Sequence, residues 1–228
     1  MASARALPAD DARRICRAFL PSRWYGNRWD YCYSLAKLRS DPLYPGVLAA
    51  LRGTRAPLLD LGCGLGLLAH ALRHDGQQQP YRGVDNDAAK IARGQRYAGA
   101  HLHDARLEYM DLAREQPEHA GSVAILDVLQ YLDAATQQAV LRRAASQLSG
   151  DGRLVIRVAI ADTSGRGRTT RVTDRLARWI GWMQNTPRSY PEAGFFEHEL
   201  QQAGLAVTMA PLYGNTPFNN WLIVAQPR

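Results

Sequence analysis

Hydrophobic residues in the middle of the chain fall into short runs, and each run is followed by a longer stretch with helical spacing. The first run, 58–61, stops at a glycine cluster, and a helical pattern begins at once near Leu67. Later runs of the same kind lie at 81–85, 107–112 and 123–126. Short apolar strands that alternate with helices are typical of parallel sheets. The pattern therefore predicts an α/β fold with a doubly wound parallel sheet.

The same alternation continues toward the C-terminus. A helical pattern over 134–148 precedes the stretch 153–160, which has the β-branched content of a buried strand. A further helix is predicted at 192–203, followed by two final strands at 205–212 and 220–225. In the doubly wound sheet that this pattern predicts, strands lie on both sides of the first strand.

The N-terminal segment has a helical pattern of its own. A helix is predicted over 8–20, where Pro21 ends it, and another begins after Asp41 and Pro42 and runs to Leu51. Between them lies an aromatic stretch in which helical spacing places Trp29 and Tyr33 on one face. The aromatic residues of this stretch are Trp24, Tyr25, Trp29, Tyr31 and Tyr33.

Glycines and carboxylates concentrate where the predicted strands end. Gly62, Gly64 and Gly66 allow positive φ and let a ligand lie against the backbone, but their G-x-G-x-G spacing departs from the dinucleotide fingerprint. Asp60 precedes them and would suit a cationic group better than a phosphate. Asp85 ends the next strand, 19 positions beyond Gly66, where a carboxylate can accept hydrogen bonds from ribose hydroxyls.

The segment 59–66, Leu-Asp-Leu-Gly-Cys-Gly-Leu-Gly, closely resembles the first motif of the class I S-adenosylmethionine-dependent methyltransferases. This resemblance implies a Rossmann-like sheet of seven strands, mostly parallel, with an antiparallel hairpin at the C-terminal edge. It also implies an N-terminal helical lid, here 1–52, over a methyltransferase domain, here 53–228. The N-terminal aromatic segment, together with Asp41-Pro42-Leu43-Tyr44, shows a weaker resemblance to the methyltransferases of aryl-polyene pigment pathways.

The resemblance assigns S-adenosyl-L-methionine as the cofactor and places its parts along the strand ends. The glycine turn would bind the methionine and ribose part, Met110 and Asp111 the adenine, and the segment after Leu126 would lie beside the reacting methyl group. Asp85 has a second interpretation as a helix cap, a role that Asp87 could take instead. The predicted cofactor contacts are Asp60, Gly62, Cys63, Gly64, Gly66, Asp85, Asn86, Met110, Asp111, Asp127 and Val128.

The binding site for the molecule that receives the methyl group is predicted from aromatic residues and two potential bases. An aromatic lid of Tyr25, Trp29 and Tyr33, with Trp182 opposite, would attract the sulfonium cation and hold an aromatic or polyketide-like small molecule. Packing of the same aromatics onto the core is the alternative. Tyr131 and His198 are the residues predicted to accept a proton, although the sequence favours an ordinary surface histidine at His198.

Positive charge is concentrated in one place. The chain has 28 basic and 21 acidic residues, a net charge of +7, and a predicted insertion at about 162–190 begins with an arginine-rich stretch, 162–178. These arginines could bind an acidic acyl carrier protein that presents the acceptor, or the phosphates of an RNA substrate. The alternative for the positive charge as a whole is an ordinary solvated surface, because most arginines are spread singly along the chain. A cofactor-binding protein without catalysis is a third hypothesis. DNA methylation is disfavoured, because the residues after the fourth strand do not match the amino-methyltransferase motif.

Several classes of protein are excluded by what the sequence lacks. The sequence contains no uncharged apolar run of membrane-spanning length and no signal-peptide pattern, so we expect a cytoplasmic protein. Three widely spaced cysteines favour neither disulfides nor structural zinc. Asp127 and Asp162 could belong to a magnesium site, but Thr163 stands where such sites have asparagine. His101–Asp104 is predicted to be a solvated loop, so no metal is expected.

Overall fold

The computed structural model describes residues 5–102, 104–160, 190–214 and 219–228. Within these ranges, helices and strands alternate in the predicted order, and a 3₁₀ turn, Arg17–Phe19, follows the first helix. The helices are α1 Ala9–Cys16, α2 Trp29–Ser40, α3 Leu43–Leu51, α4 Leu67–His74, α5 Ala88–His101, α6 Ala134–Ser146 and α7 Ala193–Gln202. The strands are β1 Leu58–Leu61, β2 Tyr81–Asp85, β3 Ala105–Tyr109, β4 Ser122–Leu126, β5 Leu154–Ala159, β6 Leu205–Pro211 and β7 Asn220–Pro227.

The strands form one seven-stranded sheet in the order β3-β2-β1-β4-β5-β7-β6. β1 lies in the middle and pairs in parallel with β2 and β4, with Leu58 opposite both Tyr81 and Ser122. β7 runs antiparallel to both β5 and β6. The predicted fold, a mostly parallel Rossmann-like sheet with an antiparallel C-terminal hairpin, is confirmed. The carboxyl ends of β1, β2 and β4 consequently meet at one edge.

Successive side chains of each strand pack into different cores on the two faces of the sheet. Leu58 contributes to a core shared with α1 to α5, whereas Leu59 contributes to a core shared with α6 and α7. On β5, Val155 faces the first core and Ile156 the second. Both faces are thus covered, which is why the strands read as continuous apolar runs rather than alternating ones.

The N-terminal helices belong to the first of these cores. Phe19, Leu38, Leu43 and Val47 are completely buried there, together with sheet residues such as Leu58. The predicted helices in this region are confirmed, and the division into a lid, 1–52, and a domain, 53–228, stays a prediction. α1 to α3 therefore share one hydrophobic core with α4 and α5.

Two details of the predicted elements were wrong. The first helix ends at Cys16 rather than Leu20, because the chain tightens into the 3₁₀ turn before Pro21, which has no N–H to donate. His101 is the last residue of α5 instead of part of a loop, and its ring contacts that of His70 edge to face, with centroids 6.4 Å apart. Of the helices in the described ranges, none is both long and apolar enough to cross a membrane.

Candidate functional site

The glycine turn after β1 leaves a space beside the backbone. Gly62, Gly64 and Gly66 have φ values of +84°, +57° and +76°, a region that glycine adopts without strain. A Cβ at Gly62 would lie 2.2 Å from the Val128 side chain, so this glycine lets the turn pack on the segment after β4. A Cβ at Gly64 would have no described atom within 4 Å. Gly64 is therefore where a ligand can lie directly on the main chain.

Asp60 is buried at the tip of β1, with 2% of its surface exposed. Its Oδ2 accepts a hydrogen bond from the Tyr81 hydroxyl at 2.5 Å, whereas its Oδ1 has no partner among the described residues. Burial raises the pKa of Asp60 to about 7, helped by the Asp85 carboxylate and opposed by Tyr81 and Lys37. A buried carboxylate oxygen without a donor is costly, and a cationic ligand group would supply one.

Asp85 joins the glycine turn to the start of α5. Its Oδ2 accepts from the Gly64 N–H at 2.8 Å, and its Oδ1 accepts from the Asp87 N–H at 2.9 Å. Asp87 caps α5 by accepting a hydrogen bond from the Lys90 N–H, so the cap is Asp87 and not Asp85. Asp85 thus holds its carboxylate at the turn, and each of its oxygens can accept a further hydrogen bond. Asn86 follows it and is exposed.

The remaining predicted cofactor contacts near the glycine turn differ in how directly they are linked to Asp85. The Met110 N–H donates to the Asp85 carbonyl at 3.0 Å, which places the end of β3 beside that of β2. Asp111 accepts from the Ala113 N–H at 3.1 Å and pairs with its neighbour Arg114. Cys63 packs close to Gly83, where a Cβ would approach its Sγ to 2.7 Å. Of these residues, Met110 has a direct backbone link to Asp85.

Asp127 has a partner that sequence reasoning missed. The Arg157 guanidinium donates to both of its carboxylate oxygens at 2.6 Å and also to Asp41 at 2.5 Å. The Lys37 ammonium lies 3.5 Å from Asp127 Oδ2. Burial by itself would raise the pKa of Asp127, but Arg157 and Lys37 lower it. The Asp127 side chain is therefore committed to these cations, and its contact with the cofactor stays a prediction.

Arg157 and Lys37 could have been noticed from the sequence. Arg157 interrupts the apolar run of β5 and is only 4% exposed, a position that a charged residue occupies only when it is paired. Lys37 lies one and two helical turns beyond Tyr33 and Trp29, on the same face of α2. The buried residue Gln130 was also missed: its Nε2 donates to the Asp127 carbonyl, and its Oε1 has no partner in the described structure.

The aromatic residues predicted for the lid are at the surface. Tyr25, Trp29 and Tyr33 are 64%, 55% and 40% exposed, so packing onto the core does not account for them. Asp30, next to Trp29 on α2, is buried and accepts hydrogen bonds from Arg93 and from the Tyr97 hydroxyl of α5, each at 2.8 Å. Trp182 lies outside the described residues. Whether the three aromatics contact an acceptor stays a prediction.

The two predicted bases lie in different places. Tyr131 ends a 3₁₀ turn, Leu129–Tyr131, directly after Val128 and therefore lies close to the strand ends. His198 is exposed on α7, which packs against α6 through an ion pair of Glu199 with Arg142 at 2.6 Å. No interaction in the described structure connects His198 with the glycine turn. The structure brings Tyr131 near the site and leaves His198 on the helix layer of the opposite core.

The described residues contain no cluster of three or more histidine, cysteine or carboxylate side chains that could bind a metal ion. Asp162 and Thr163 lie outside them, as does the arginine-rich stretch. What the strand ends do offer is an open backbone at Gly64, a free carboxylate oxygen on Asp60 and the Asp85 carboxylate. These groups fit S-adenosylmethionine, which carries a ribose diol and an ammonium group.

Comparisons with known proteins agree with this geometry. A family described as a methyltransferase domain matches residues 36–210, more than half of the chain. Ubiquinone biosynthesis O-methyltransferases from Xanthomonas campestris pv. campestris are 31% identical over 146 residues, which cover 61% of this chain and 57% of those proteins. The chain thus matches little more than half the length of these curated relatives.

Solved structures show the same fold at low identity. A magnesium protoporphyrin IX methyltransferase from Synechocystis PCC 6803 with bound S-adenosylhomocysteine has a TM-score of 0.64 at 18% identity, covering 96% of this chain and 94% of that one. An O-methyltransferase of neocarzinostatin biosynthesis, in complex with S-adenosylhomocysteine and 1,4-dihydroxy-2-naphthoic acid, has a TM-score of 0.57 at 20% identity, covering 86% of this chain and 56% of that one.

Proposed function

Because the chain belongs to the class I S-adenosylmethionine-dependent methyltransferases, we propose that it methylates a hydroxyl oxygen of a small aromatic acceptor. The enzyme class and the cofactor are the premise. The acceptor is the proposal, and its main support is the position of α2, whose Lys37 lies beside Asp127 at the carboxyl end of β4. One end of α2 is joined to α5 by the pairing of Asp30 with Arg93, and the other to β4 by that of Lys37 with Asp127.

A helix in this position restricts the size of the acceptor. With α2 held beside the carboxyl ends of the strands, we expect a small molecule to reach the methyl group more easily than a folded macromolecule. The rings that α2 leaves exposed, Trp29 and Tyr33, are one helical turn apart and offer flat apolar surfaces to a planar acceptor. The position of α2 therefore favours a small aromatic molecule over an RNA substrate.

The names of similar proteins support oxygen as the acceptor atom. The relatives from Xanthomonas are ubiquinone biosynthesis O-methyltransferases. The neocarzinostatin enzyme was solved with a dihydroxynaphthoic acid, and another structure of similar fold is a mitomycin 7-O-methyltransferase. All of these names specify either O-methyl transfer or a hydroxylated aromatic compound.

The reaction requires the protein mainly to position its reactants. Held by Asp60, Gly64 and Asp85, the cofactor would supply an electrophilic methyl group: the acceptor oxygen would form the new C–O bond as the C–S bond breaks, and the electron pair of that bond would stay on sulfur. Alignment of this kind can contribute roughly 7–11 kcal/mol to the barrier reduction. The hydroxyl proton leaves to a base, for which Tyr131 is better placed than His198, since it follows Val128 at the strand ends.

We also propose that the acceptor is presented by an acidic acyl carrier protein, which would bind to the arginine-rich stretch 162–178. It rests on the sequence alone, because these residues lie outside the described structure. Reversal of charge at Arg166, Arg168 and Arg171 would abolish capture of such a carrier and leave methylation of a free acceptor unchanged. Loss of both activities would count against a separate docking role.

A methyl-transfer assay with matched acceptors tests the function. The purified protein is incubated with S-adenosylmethionine and 1,4-dihydroxy-2-naphthoic acid, simpler dihydroxybenzoic acids and their analogues without a hydroxyl group, and products are identified by mass spectrometry. We expect a mass gain of one methyl group only where a hydroxyl is present. Methylation of total RNA, or of the analogues without hydroxyl groups, would overturn the proposal of an aromatic O-acceptor.

A further inference from the structure

Lys37 has hydrogen-bonding capacity that the protein does not use. Its ammonium group carries three N–H donors, and in the described part of the chain it makes one ion pair, with Asp127 Oδ2 at 3.5 Å. That carboxylate already accepts two shorter bonds from Arg157 at 2.6 Å each. The Lys37 side chain is 26% exposed, so its remaining donors are accessible to a ligand.

A carboxylate with complementary unused capacity lies nearby. Asp60 Oδ1 is buried without a partner among the described residues, and Lys37 is close enough to lower the pKa of Asp60. Both groups are at the same edge of the sheet, beside the glycine turn, with Lys37 approaching from α2 and Asp60 from β1. One positive and one negative group with spare bonding capacity thus flank the site.

The amino-acid end of the cofactor carries the matching pair of charges, one ammonium and one carboxylate. Two other cations of the helices beside the turn have acidic partners: Arg93 binds Asp30 at 2.8 Å, and Lys90 pairs with Asp87 at 3.4 Å. Of these three cations, Lys37 is the one close enough to Asp60 to lower its pKa, so we expect a carboxylate bound next to Asp60 to meet Lys37.

We propose that Lys37 binds the carboxylate of the cofactor's methionyl group while Asp60 accepts a hydrogen bond from its ammonium group. Arg157 is a positioning residue in this arrangement, because it saturates Asp127 and joins it to Asp41, and thereby leaves Lys37 only loosely paired. The raised pKa of Lys37, which Tyr33, Tyr44 and Asp127 produce against the effect of burial, keeps the ammonium charged and unsuited to act as a base.

This arrangement has a structural consequence for α2. Lys37 would make the N-terminal helix contribute directly to the cofactor site, so cofactor binding would add a further link between α2 and the sheet. The inference depends on the cofactor and not on the acceptor proposed above. Its test can therefore succeed or fail independently of the identity of the acceptor.

The test compares two cofactor analogues that differ only in the carboxylate. Affinities of wild-type protein and of Lys37→Met are measured by calorimetry for S-adenosylhomocysteine and for its decarboxylated analogue. We expect Lys37→Met to weaken S-adenosylhomocysteine binding at least about tenfold and to change binding of the decarboxylated analogue less than about twofold. Lys90→Met, which removes the other lysine of the chain, should leave both affinities unchanged.

Two results would overturn the proposal. One is an unchanged affinity of the Lys37→Met variant for S-adenosylhomocysteine. This result would overturn the proposal even if the variant bound the acceptor more weakly. The other is an equal loss for both analogues, since that would indicate a general disturbance of the site. If Lys37→Met does not fold, Lys37→Arg keeps the charge and should retain the preference for the carboxylated analogue over the decarboxylated one. Loss of that preference would likewise contradict the proposal.

Discussion

Arg157 binds both carboxylate oxygens of Asp127 through its Nε and Nη2 atoms, each at 2.6 Å. Asp127 is also the one described residue other than glycine with positive φ, at 59°. Aspartate tolerates this conformation better than most residues, but the conformation still costs free energy. The ion pair therefore holds a strained turn at the end of β4, where the chain passes from the sheet to Val128 and the cofactor site.

Replacement of Arg157 by leucine should strongly destabilise the protein. Arg157 is 4% exposed, and its loss would leave Asp127 and Asp41 without their main cation. Removal of one partner of a buried ion pair costs about 3–5 kcal/mol. We expect a loss of this size in the free energy of unfolding, measured with urea at neutral pH.

An exposed ion pair provides the control for this substitution. Arg13 pairs with Asp10 at 3.0 Å on the surface of α1, with side chains 56% and 79% exposed. Arg13→Ala should change the free energy of unfolding by less than about 1 kcal/mol. If Arg157→Leu proved no more destabilising than Arg13→Ala, the buried network would have no structural importance.

Alanine at Gly64 should separate cofactor binding from stability. Gly64 and Gly76 both have positive φ, +57° and +81°, and no described atom lies within 4 Å of an added Cβ at either position. Both substitutions should therefore cost about 1–2 kcal/mol of stability through backbone strain. Only Gly64→Ala should also weaken binding of S-adenosylhomocysteine, by at least about tenfold, because its methyl group would occupy the cofactor's place.

Gly76 serves as the matched control in that experiment. Its turn follows α4, at the other end of that helix from the glycine cluster, and its alanine variant should bind S-adenosylhomocysteine like the wild type. Calorimetry below the melting temperature of both variants makes the comparison direct. Similar affinities for the two variants would mean that the cofactor does not approach the backbone at Gly64.

Asp85→Ala should lower cofactor affinity by at least about tenfold. The substitution removes the predicted acceptor for the ribose hydroxyls, and charge-assisted hydrogen bonds contribute roughly 1.5–3 kcal/mol each. It also removes the acceptor for the Gly64 N–H, which orders the turn. Calorimetry with S-adenosylhomocysteine provides the measurement. Unchanged affinity would mean that the ribose is held elsewhere.

The neighbouring Asp87 allows the ribose contact to be distinguished from helix capping. Asp87→Ala removes the cap of α5, where the Asp87 side chain accepts from the Lys90 N–H at 2.9 Å. Loss of an N-cap costs about 0.5–2 kcal/mol of stability. We expect this variant to melt at a lower temperature while its cofactor affinity stays within about twofold of the wild type, since the cap lies outside the ribose contact.

The sheet and the glycine turn were predictable from sequence because both depend on local pattern. Apolar runs that stop at the glycine cluster after Leu61 and at Asp85 indicate strand ends, and glycine at positions 62, 64 and 66 indicates a backbone with positive φ. These signals lie within a few residues of each other. The parallel arrangement then places the carboxyl ends of separate strands at one edge without any knowledge of side-chain contacts.

The ion network could not be predicted in the same way, because its members are far apart in the chain. Lys37 and Asp41 lie before the first strand, Asp127 follows the fourth, and Arg157 lies within the fifth. Only the packing of α2 and the α2–α3 turn against β4 and β5 brings these four charges together. A sequence motif marks the ends of strands but does not show which helix residues lie above them.

The pH dependence of stability should be influenced by His70. This histidine is buried between the 3₁₀ turn and α5, with its ring 4.9 Å from that of Phe19, and its Nε2 has no partner in the described residues. Burial lowers the pKa of His70 to about 4, with His101 acting in the same direction. Because the unfolded chain binds a proton below pH 6.5 and the folded protein does not, stability should fall as the pH falls from about 6.5 to about 4.

The contribution of His70 to this fall is about 3 kcal/mol at most. His70→Phe should remove that part of the slope when urea unfolding is followed between pH 4 and 7, because phenylalanine keeps the ring packing and does not titrate. His74→Phe is the control, since His74 lies on the same helix and pairs with Asp11 at 3.2 Å nearer the surface. If the His70→Phe variant retained the full wild-type slope, His70 would already bind a proton in the folded protein near pH 6.5. Its protonated ring would then need a hydrogen-bond acceptor in the folded state.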